Sequence, residues 1–265
     1  MGGALAALRF RGTDLLRPMA EGADDPLQSS CFPLAPYCNR IRDGRFTWRG
    51  RAVTLPPNFP PERHPLHGLS WRRPWQVIDQ GDAHAALADE CDGSGLWPWP
   101  YRAGLLVALD AQGCSITLAL LNSGSEDMPV GLGLHPYFRR RPETRLRFEA
   151  RSVLLGDAET LPTGIEAPAA HFGDFAKGDI LPPHEMVDNC YRGWGGAVTV
   201  QDDLGAISMT ATGAGYLHLY APADGSVLCC EPVTHTPDAL NRAPDEMIVL
   251  APGASASVTM RIEVG

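Results

Sequence analysis

The sequence predicts an all-β protein built as a large antiparallel β-sandwich. Along segments from one end of the chain to the other, apolar and polar residues alternate with a period of two, which is the pattern of strands with one buried face. These segments are short and are separated by turns rich in glycine and proline, of which the chain has 28 and 24. No long segment has apolar residues at helical spacing, so few helices are expected.

The alternation is clearest in two segments. In SITLALLN (115–122), isoleucine and leucine alternate with threonine and alanine, and in SVTMRIEV (257–264), valine, methionine and isoleucine alternate with threonine, arginine and glutamate. AVTVQDDLGAISMTAT (197–212) is typical of two strands joined by a turn that contains glycine. The sequence therefore predicts a strand in each of the first two segments and a hairpin in the third.

Shorter strands are predicted in GYLHLYAP (215–222), SVLCCEPV (226–233) and EMIVLAPG (246–253), each of which contains or adjoins glycine or proline. The best helical candidate is DAHAALADE (82–90), which is brief. No change of composition divides the chain, so residues 1–265 are expected to form a single domain.

Charge and cysteine content limit the partners and the compartment. The formal net charge is -9 and no run of lysine and arginine resembles a nucleic-acid stripe, so neither nucleic acid nor an anionic membrane is expected as a partner. No apolar stretch is long enough to span a bilayer. The seven cysteines include no C-x-x-C pair and are interpreted as reduced thiols of a cytoplasmic protein.

Five segments carry more polar groups than packing needs: NRIRDGRF (39–46), HPLHGLSWRRPW (64–75), GLHPYF (133–138), DNCYRGW (188–194) and EPVTHTPDALN (231–241). They adjoin apolar strands, where loops can bring them into one cleft. Each polar residue alone could have a structural role, as a turn former, a surface partner or a core histidine satisfied by a carbonyl group.

Two kinds of site fit these residues poorly. His64 and His67 are three residues apart, but nothing nearby completes a recognisable set of metal ligands, so no metal is expected. The sequence has no G-x-S-x-G nucleophile elbow and no cysteine beside a histidine. Cys190 lies near Asp188, whose negative charge disfavours a reactive thiolate.

Taken together and in this order, FPLAPYCNRIRDGRF (32–46), LHG (66–68) with PWQV (74–77), GLHPYF, DNCYRGW and EPVTHTPDALN resemble the aldose 1-epimerase (mutarotase) family. The resemblance runs from about LRFRG (8–12) to the last strand. It implies the galactose mutarotase-like supersandwich, a large antiparallel β-sandwich, which agrees with the fold predicted from the alternation.

The resemblance also implies roles for six residues and no cofactor. Glu231 would be the catalytic base and His135 the catalytic acid, with His67 as the family's second active-site histidine. Arg40 and Asp188, with Asn39 beside them, would bind the sugar. The implied partner is a monosaccharide.

The chemistry explains these residue types. Anomerisation removes the proton of the O1 hydroxyl while the ring oxygen is protonated, so that the ring opens to an aldehyde and closes again after rotation about C1–C2. A glutamate and a histidine can supply the base and the acid near neutral pH with little tuning, and each positioned proton transfer contributes roughly 10²–10⁴-fold. Pro136 restricts His135 to extended conformations, and the aromatic neighbours Tyr137 and Phe138 are expected to hold its ring.

Two departures bear on the identity of the sugar. The family often has a second glycine after LHG, where this chain has Leu69, and the chain is shorter than galactose mutarotases. Two alternatives remain open. Arginines 72, 73 and 139–141 could serve a hexose-6-phosphate 1-epimerase, although solvated arginines on an acidic protein are favoured. A non-catalytic sugar-binding module is the other, and the presence of both Glu231 and His135 is an argument against it.

Overall fold

The computed structural model describes residues 2–264. Its strands, numbered in chain order, are β1 (Arg9–Phe10), β2 (Thr13–Asp14), β3 (Cys31–Leu34), β4 (Arg45–Trp48), β5 (Arg51–Thr54), β6 (Gln76–Gln80), β7 (His84–Asp92), β8 (Pro100–Leu109), β9 (Gly113–Asn122), β10 (Met128–Val130), β11 (Gly133–Phe138), β12 (Arg145–Arg147), β13 (Ser152–Gly156), β14 (Pro162–Pro168), β15 (Asp179–Ile180), β16 (Val187–Arg192), β17 (Ala197–Asp202), β18 (Gly205–Thr212), β19 (Tyr216–Ala221), β20 (Leu228–Val233), β21 (Ile248–Leu250) and β22 (Ser255–Val264).

Helical structure is confined to short segments within the described part of the chain. One α-helix, α1, spans Ala239–Arg242, and 3₁₀ turns span Pro26–Gln28, Arg42–Gly44, Ala169–Phe172, Phe175–Lys177 and Pro244–Glu246. None of these is long and apolar enough to cross a membrane.

Two large sheets form the body of the fold. A seven-stranded sheet has the order β14-β13-β16-β19-β20-β11-β3, and a nine-stranded sheet has the order β15-β12-β17-β18-β22-β9-β8-β7-β6. Neighbouring strands are antiparallel in both, from β13 with β14 to β7 with β8. The prediction of a large antiparallel β-sandwich is confirmed.

The main core lies between the two sheets and explains the alternation in the sequence. Along β9, Cys114, Ile116, Leu118 and Leu120 are buried while the intervening residues are less so. Residues of the facing sheet, such as Leu219 on β19, belong to the same buried cluster. Because a fully buried leucine contributes roughly 1.5–3 kcal/mol, shifting a strand by one residue would lose several such contributions at once.

The strands predicted from alternation are present, and the predicted hairpin is formed by β17 and β18, in which Asp202 lies opposite Gly205. The helical prediction for residues 82–90 is wrong. This segment lies mainly in β7, which pairs with β6 on one side and β8 on the other. Helix propensity is a weak preference in so short a segment, and pairing with two neighbouring strands satisfies its backbone groups instead.

The outer face of the seven-stranded sheet carries a second, smaller cluster of buried residues. On β20, Leu228 and Cys230 join the main core, whereas Cys229 and Val233 join the outer cluster. Since side chains alternate along a strand, Glu231 points to the outer face with them. All seven cysteines are buried and free of disulfides.

Candidate active site

A cavity of about 430 Å³ opens on the outer face of the seven-stranded sheet. This volume falls within the range of small-molecule sites. The six residues singled out from the sequence all line it: Asn39, Arg40, His67, His135, Asp188 and Glu231. Residues separated by up to 192 positions in the chain are thus brought together.

One row of side chains across the sheet carries the central groups. Cys190 on β16 lies opposite His218 on β19, and His218 lies opposite Glu231 on β20. The pairing of Gly133 with Val233 and of Tyr137 with Cys229 places His135 opposite Glu231. Directly opposed residues in a sheet point to the same face, so His218, Glu231 and His135 lie side by side in the wall of the cavity.

Glu231 and His135 form a buried pair. The His135 Nε2 atom lies 3.2 Å from Glu231 Oε1, and the two side chains are 7% and 2% exposed. Burial raises the pKa of Glu231 to about 8, against the opposing effect of His218, and lowers the pKa of His135 to about 3, helped by the charge of His218. Burial therefore drives both groups toward their neutral forms, which differs from the expectation that the pair needs little tuning.

Aromatic rings hold the His135 imidazole. Tyr137 stacks on it with ring centroids 4.7 Å apart, and Phe32 stacks with centroids 4.5 Å apart. Phe138, which was expected to take part, belongs to the main core instead. It cannot reach His135 because residues an odd number apart on a strand point to opposite faces.

Asn39 and His67 fix each other on two neighbouring loops. The Asn39 backbone N–H donates to His67 Nδ1 at 3.1 Å, and the His67 backbone N–H donates to the Asn39 carbonyl oxygen at 2.9 Å. Because Nδ1 accepts, a neutral His67 carries its proton on Nε2. Burial lowers the pKa of His67 well below its usual value, so it is a neutral hydrogen-bond donor at the cavity.

Asp188 lies between Arg40 and His218 and contacts both of them. Its Oδ2 lies 3.5 Å from Arg40 Nη1, and its Oδ1 lies 2.6 Å from His218 Nε2. Although burial opposes it, the hydrogen bond from His218 and the charges of His218 and Arg40 lower the pKa of Asp188. Arg40 also lies 3.4 Å from Glu62, so its guanidinium group is placed between two carboxylates.

Sequence reasoning missed several residues of the cavity wall, chiefly Arg17, Glu62 and His218. A signal for His218 was present, because the apolar strand GYLHLYAP contains one polar residue that packing does not require. Its Nε2 also lies 3.3 Å from Asn39 Nδ2. Arg17 stacks over the Tyr137 ring, 3.9 Å from its centroid, and no carboxylate oxygen within residues 2–264 lies within 4.0 Å of it.

Two groups named in the sequence lie elsewhere. His64 is buried outside the cavity wall, where its Nδ1 accepts a hydrogen bond from the Asp43 backbone N–H at 3.0 Å. The arginines of the phosphate alternative also lie outside the wall and have other partners: Arg72 packs over Trp71, Arg73 pairs with Asp89, Arg139 with Asp202 and Arg141 with Asp203, and Arg140 donates to the Pro222 carbonyl oxygen. Within the described residues, no group of three or more His, Cys, Asp or Glu is arranged to hold a metal ion.

Comparison with known sequences gives a consistent result. A family described as aldose 1-epimerase matches residues 1–263. The uncharacterised protein YphB of Escherichia coli K12 is 31% identical over 274 residues, covering 99% of this chain and 93% of YphB. The aldose 1-epimerase of the same organism is 28% identical over 168 residues, which cover 59% of this chain and 47% of that enzyme.

Solved structures agree at the level of the fold. A crystal structure from Escherichia coli K12, provisionally described as an aldose 1-epimerase, has a TM-score of 0.91 and 32% identity and covers 100% of this chain and 93% of its own. The galactose 1-epimerase of Lactobacillus acidophilus NCFM has a TM-score of 0.78 at 16% identity, covering 100% of this chain and 89% of its own. The second similarity concerns the fold alone.

Proposed function

Because the chain belongs to the aldose 1-epimerase family, we propose that it interconverts the α and β anomers of a free aldose by acid–base catalysed opening and closure of the sugar ring. The observation that carries the proposal is the buried pair of Glu231 and His135, whose Oε1 and Nε2 atoms are 3.2 Å apart in a cavity of about 430 Å³. A paired carboxyl and imidazole group can give and receive the two protons that the reaction moves.

The proposed reaction uses the form of the pair in which Glu231 is a carboxylate and His135 an imidazolium, which is reached when the one proton of the pair moves from Glu231 to His135 across their 3.2 Å contact. Glu231 takes the proton of the O1 hydroxyl while His135 donates its proton to the ring oxygen, the C1–O5 bond breaks and the C1=O1 bond forms. Rotation about C1–C2 turns the other face of the aldehyde toward the O5 hydroxyl. Closure returns one proton to His135 and one to O1, so that both groups recover their initial states and no cofactor is consumed.

The other residues of the wall would bind and orient the sugar. The Nε2–H of His67 is a donor for a sugar oxygen, and Arg40 supplies further N–H groups beside Asp188. The Asp188 carboxylate can accept from sugar hydroxyls in addition to its contacts with Arg40 and His218, because each carboxylate oxygen has two lone pairs. We assign Asn39 the role of positioning His67 and Arg40. Its backbone N–H donates to His67 Nδ1, and its Oδ1 accepts from the Arg40 backbone N–H at 2.8 Å.

Polarimetry tests the proposal directly. Freshly dissolved α-glucose and α-galactose should reach their equilibrium rotation faster with catalytic amounts of the protein, and Glu231→Gln should abolish most of the acceleration. Rates equal to those of buffer for a panel of free aldoses would overturn it. The same panel tests the binding-module alternative, in which the sugars bind without acceleration.

A sugar with an anionic substituent, such as a hexose 6-phosphate, is a second candidate substrate. Arg17 favours it, because this cavity residue has no carboxylate partner within the described residues and could pair with an anion. If so, glucose 6-phosphate should have a higher kcat/KM than glucose, and Arg17→Met should remove the preference without lowering kcat/KM on glucose. Equal use of both sugars would rule this candidate out.

A further inference from the structure

His218 is the cavity histidine for which the proposed reaction has no role. It is 3% exposed and lies on β19, between Cys190 of β16 and Glu231 of β20. Directly opposed residues have Cβ atoms about 4.5–5.5 Å apart. A charge on His218 would therefore act on the Glu231 carboxyl group at short range.

Asp188 gives His218 a reason to carry a charge. The 2.6 Å distance between His218 Nε2 and Asp188 Oδ1 is that of a charge-assisted hydrogen bond. Burial alone would lower the pKa of His218, but the hydrogen bond to Asp188 and the negative charges of Asp188 and Glu231 outweigh it, and the pKa rises well above its usual value. His135, on the other side of Glu231, pairs with Glu231 itself, whose own pKa is raised by burial, and the pKa of His135 moves in the opposite direction.

The remaining titratable groups around Glu231 and His218 do not replace this charge. Arg40 also favours an ionised Glu231, but it lies between the carboxylates of Asp188 and Glu62, which offset it. The other titratable neighbours are neutral, because burial raises the pKa of each thiol and phenol and lowers that of the imidazole: Cys38, Cys190, Cys229, Cys230, Tyr220 and His67.

We propose that His218, paired with Asp188 and opposed to Glu231 across the sheet, is a positioning residue whose positive charge favours the carboxylate form of Glu231 against the neutral form that burial favours. The inference concerns the same site as the proposed anomerisation and rests on that function for its kinetic consequence. The electrostatic effect of His218 on Glu231 does not depend on that function, because the charge acts on Glu231 whether or not a sugar is turned over.

A positive charge near two titrating groups lowers both of their pKa values. Removing the charge with His218→Gln, which keeps hydrogen-bonding capacity, should therefore raise the apparent pKa values of Glu231 and of His135 together. An opposite charge at about 4–6 Å changes a pKa by roughly 1–3 pH units, so a rise of about one pH unit or more is expected for Glu231. A purely structural role would lower the amount of folded protein without moving either value.

Nuclear magnetic resonance of the full chain measures this without any substrate. In wild-type protein, the His218 imidazole should titrate well above the value of about 6.5 for a free histidine. In the His218→Gln variant, the Glu231 carboxyl carbon, assigned by its loss in Glu231→Gln, should titrate at higher pH than in wild type. A His218 that is neutral at pH 7 in the wild type would overturn the proposal even if the variant failed to fold.

The pH dependence of the kinetics provides a second test. If sugars are turned over, the whole profile of kcat/KM against pH should move to higher pH in His218→Gln, by about one pH unit or more. His171→Gln makes the same chemical change at an exposed residue outside the cavity and should leave the profile in place. If His218→Gln is active and its profile is unchanged, the role of His218 is refuted. If the wild-type protein is inactive but the carboxyl group titrates as expected, only the proposed anomerisation is refuted.

Discussion

Asn39 and His67 form a reciprocal pair of hydrogen bonds that fixes the ring orientation of His67 at the cavity. The Asn39 backbone N–H donates to His67 Nδ1 at 3.1 Å, and the His67 backbone N–H donates to the Asn39 backbone carbonyl oxygen at 2.9 Å. Both residues have positive φ angles, 55° and 58°, which few non-glycine residues adopt. The two loops therefore hold one another in strained conformations, and this fixes the orientation of the His67 ring at the cavity.

Substitutions at His67 should separate its two tasks. His67→Asn can still accept from the Asn39 N–H and tolerates a positive φ, but it lacks the Nε2 donor. We expect its free energy of unfolding to stay within about 1 kcal/mol of wild type, while kcat/KM on the aldose falls about tenfold or more. Urea denaturation and polarimetry measure the two quantities.

The control is His67→Ala, which leaves the buried Asn39 N–H unpaired. That variant should lose about 1–3 kcal/mol of stability in addition to activity. If His67→Asn were as unstable as His67→Ala, the accepting role of Nδ1 would be refuted.

Glu231→Gln and His135→Asn should each lower kcat by about 10² or more, because each removes one of the two proton transfers. Binding of the sugar, measured by calorimetry, should survive in Glu231→Gln, which keeps the shape of the side chain. The double variant should be little worse than either single one, because both groups act in one transition state. Glu126→Gln, at an exposed residue, serves as the matched control.

Near-wild-type anomerisation by Glu231→Gln would show that the base is misassigned. Additive losses in the double variant would instead indicate that the two residues act in different steps.

The dependence of kcat/KM on pH should be a broad plateau. With the pKa of Glu231 raised to about 8 and that of His135 lowered to about 3, the pair carries one proton throughout the range between them. The reaction needs one acid and one base, so activity should fall below the lower value, where a second proton binds, and above the higher value, where the shared proton is lost. Stopped-flow polarimetry across this range checks it, wherever the protein remains folded.

A narrow bell whose limbs titrate near 4.3 and 6.5, the ordinary values for a glutamate and a histidine, would contradict this prediction. It would mean that burial does not control the protonation of the pair.

Gly68, next to His67, should not tolerate a side chain. It has a φ of +69°, and a Cβ atom there would come within 2.1 Å of the Ala35 carbonyl oxygen. Gly68→Ala should therefore lose more than about 2 kcal/mol of unfolding free energy, measured in urea, together with activity.

Gly50→Ala is the matched control, because Gly50 has a φ of +81° with no atom within 4 Å of the added Cβ. It should lose only the roughly 1–2 kcal/mol of the unfavourable φ. Equal losses in the two variants would show that the contact with Ala35 does not matter.

The sequence by itself determined the fold class and pointed to six residues that line the candidate site. Alternation in segments such as 115–122 and 257–264 reports which face of a strand is buried, and this local property survives in the final sandwich. The helical prediction failed at residues 82–90, where pairing of β7 with the preceding and following strands outweighed a weak local preference. Glu231 and His135 were identifiable as candidate site residues because they lie in sequence motifs that resemble those of a known family.

The tertiary structure alone decided which groups meet and which protons they hold. His218 faces Glu231 because of the register between β19 and β20, and Phe32 rather than Phe138 stacks on His135 because β3 lies beside β11. Strand order brings together segments far apart in the sequence, such as β3 and β11, and register depends on how paired strands pack in the whole sheet, so no local pattern encodes either. The protonation of the pair depends on burial and on neighbouring charges, which exist only once the chain has folded around them.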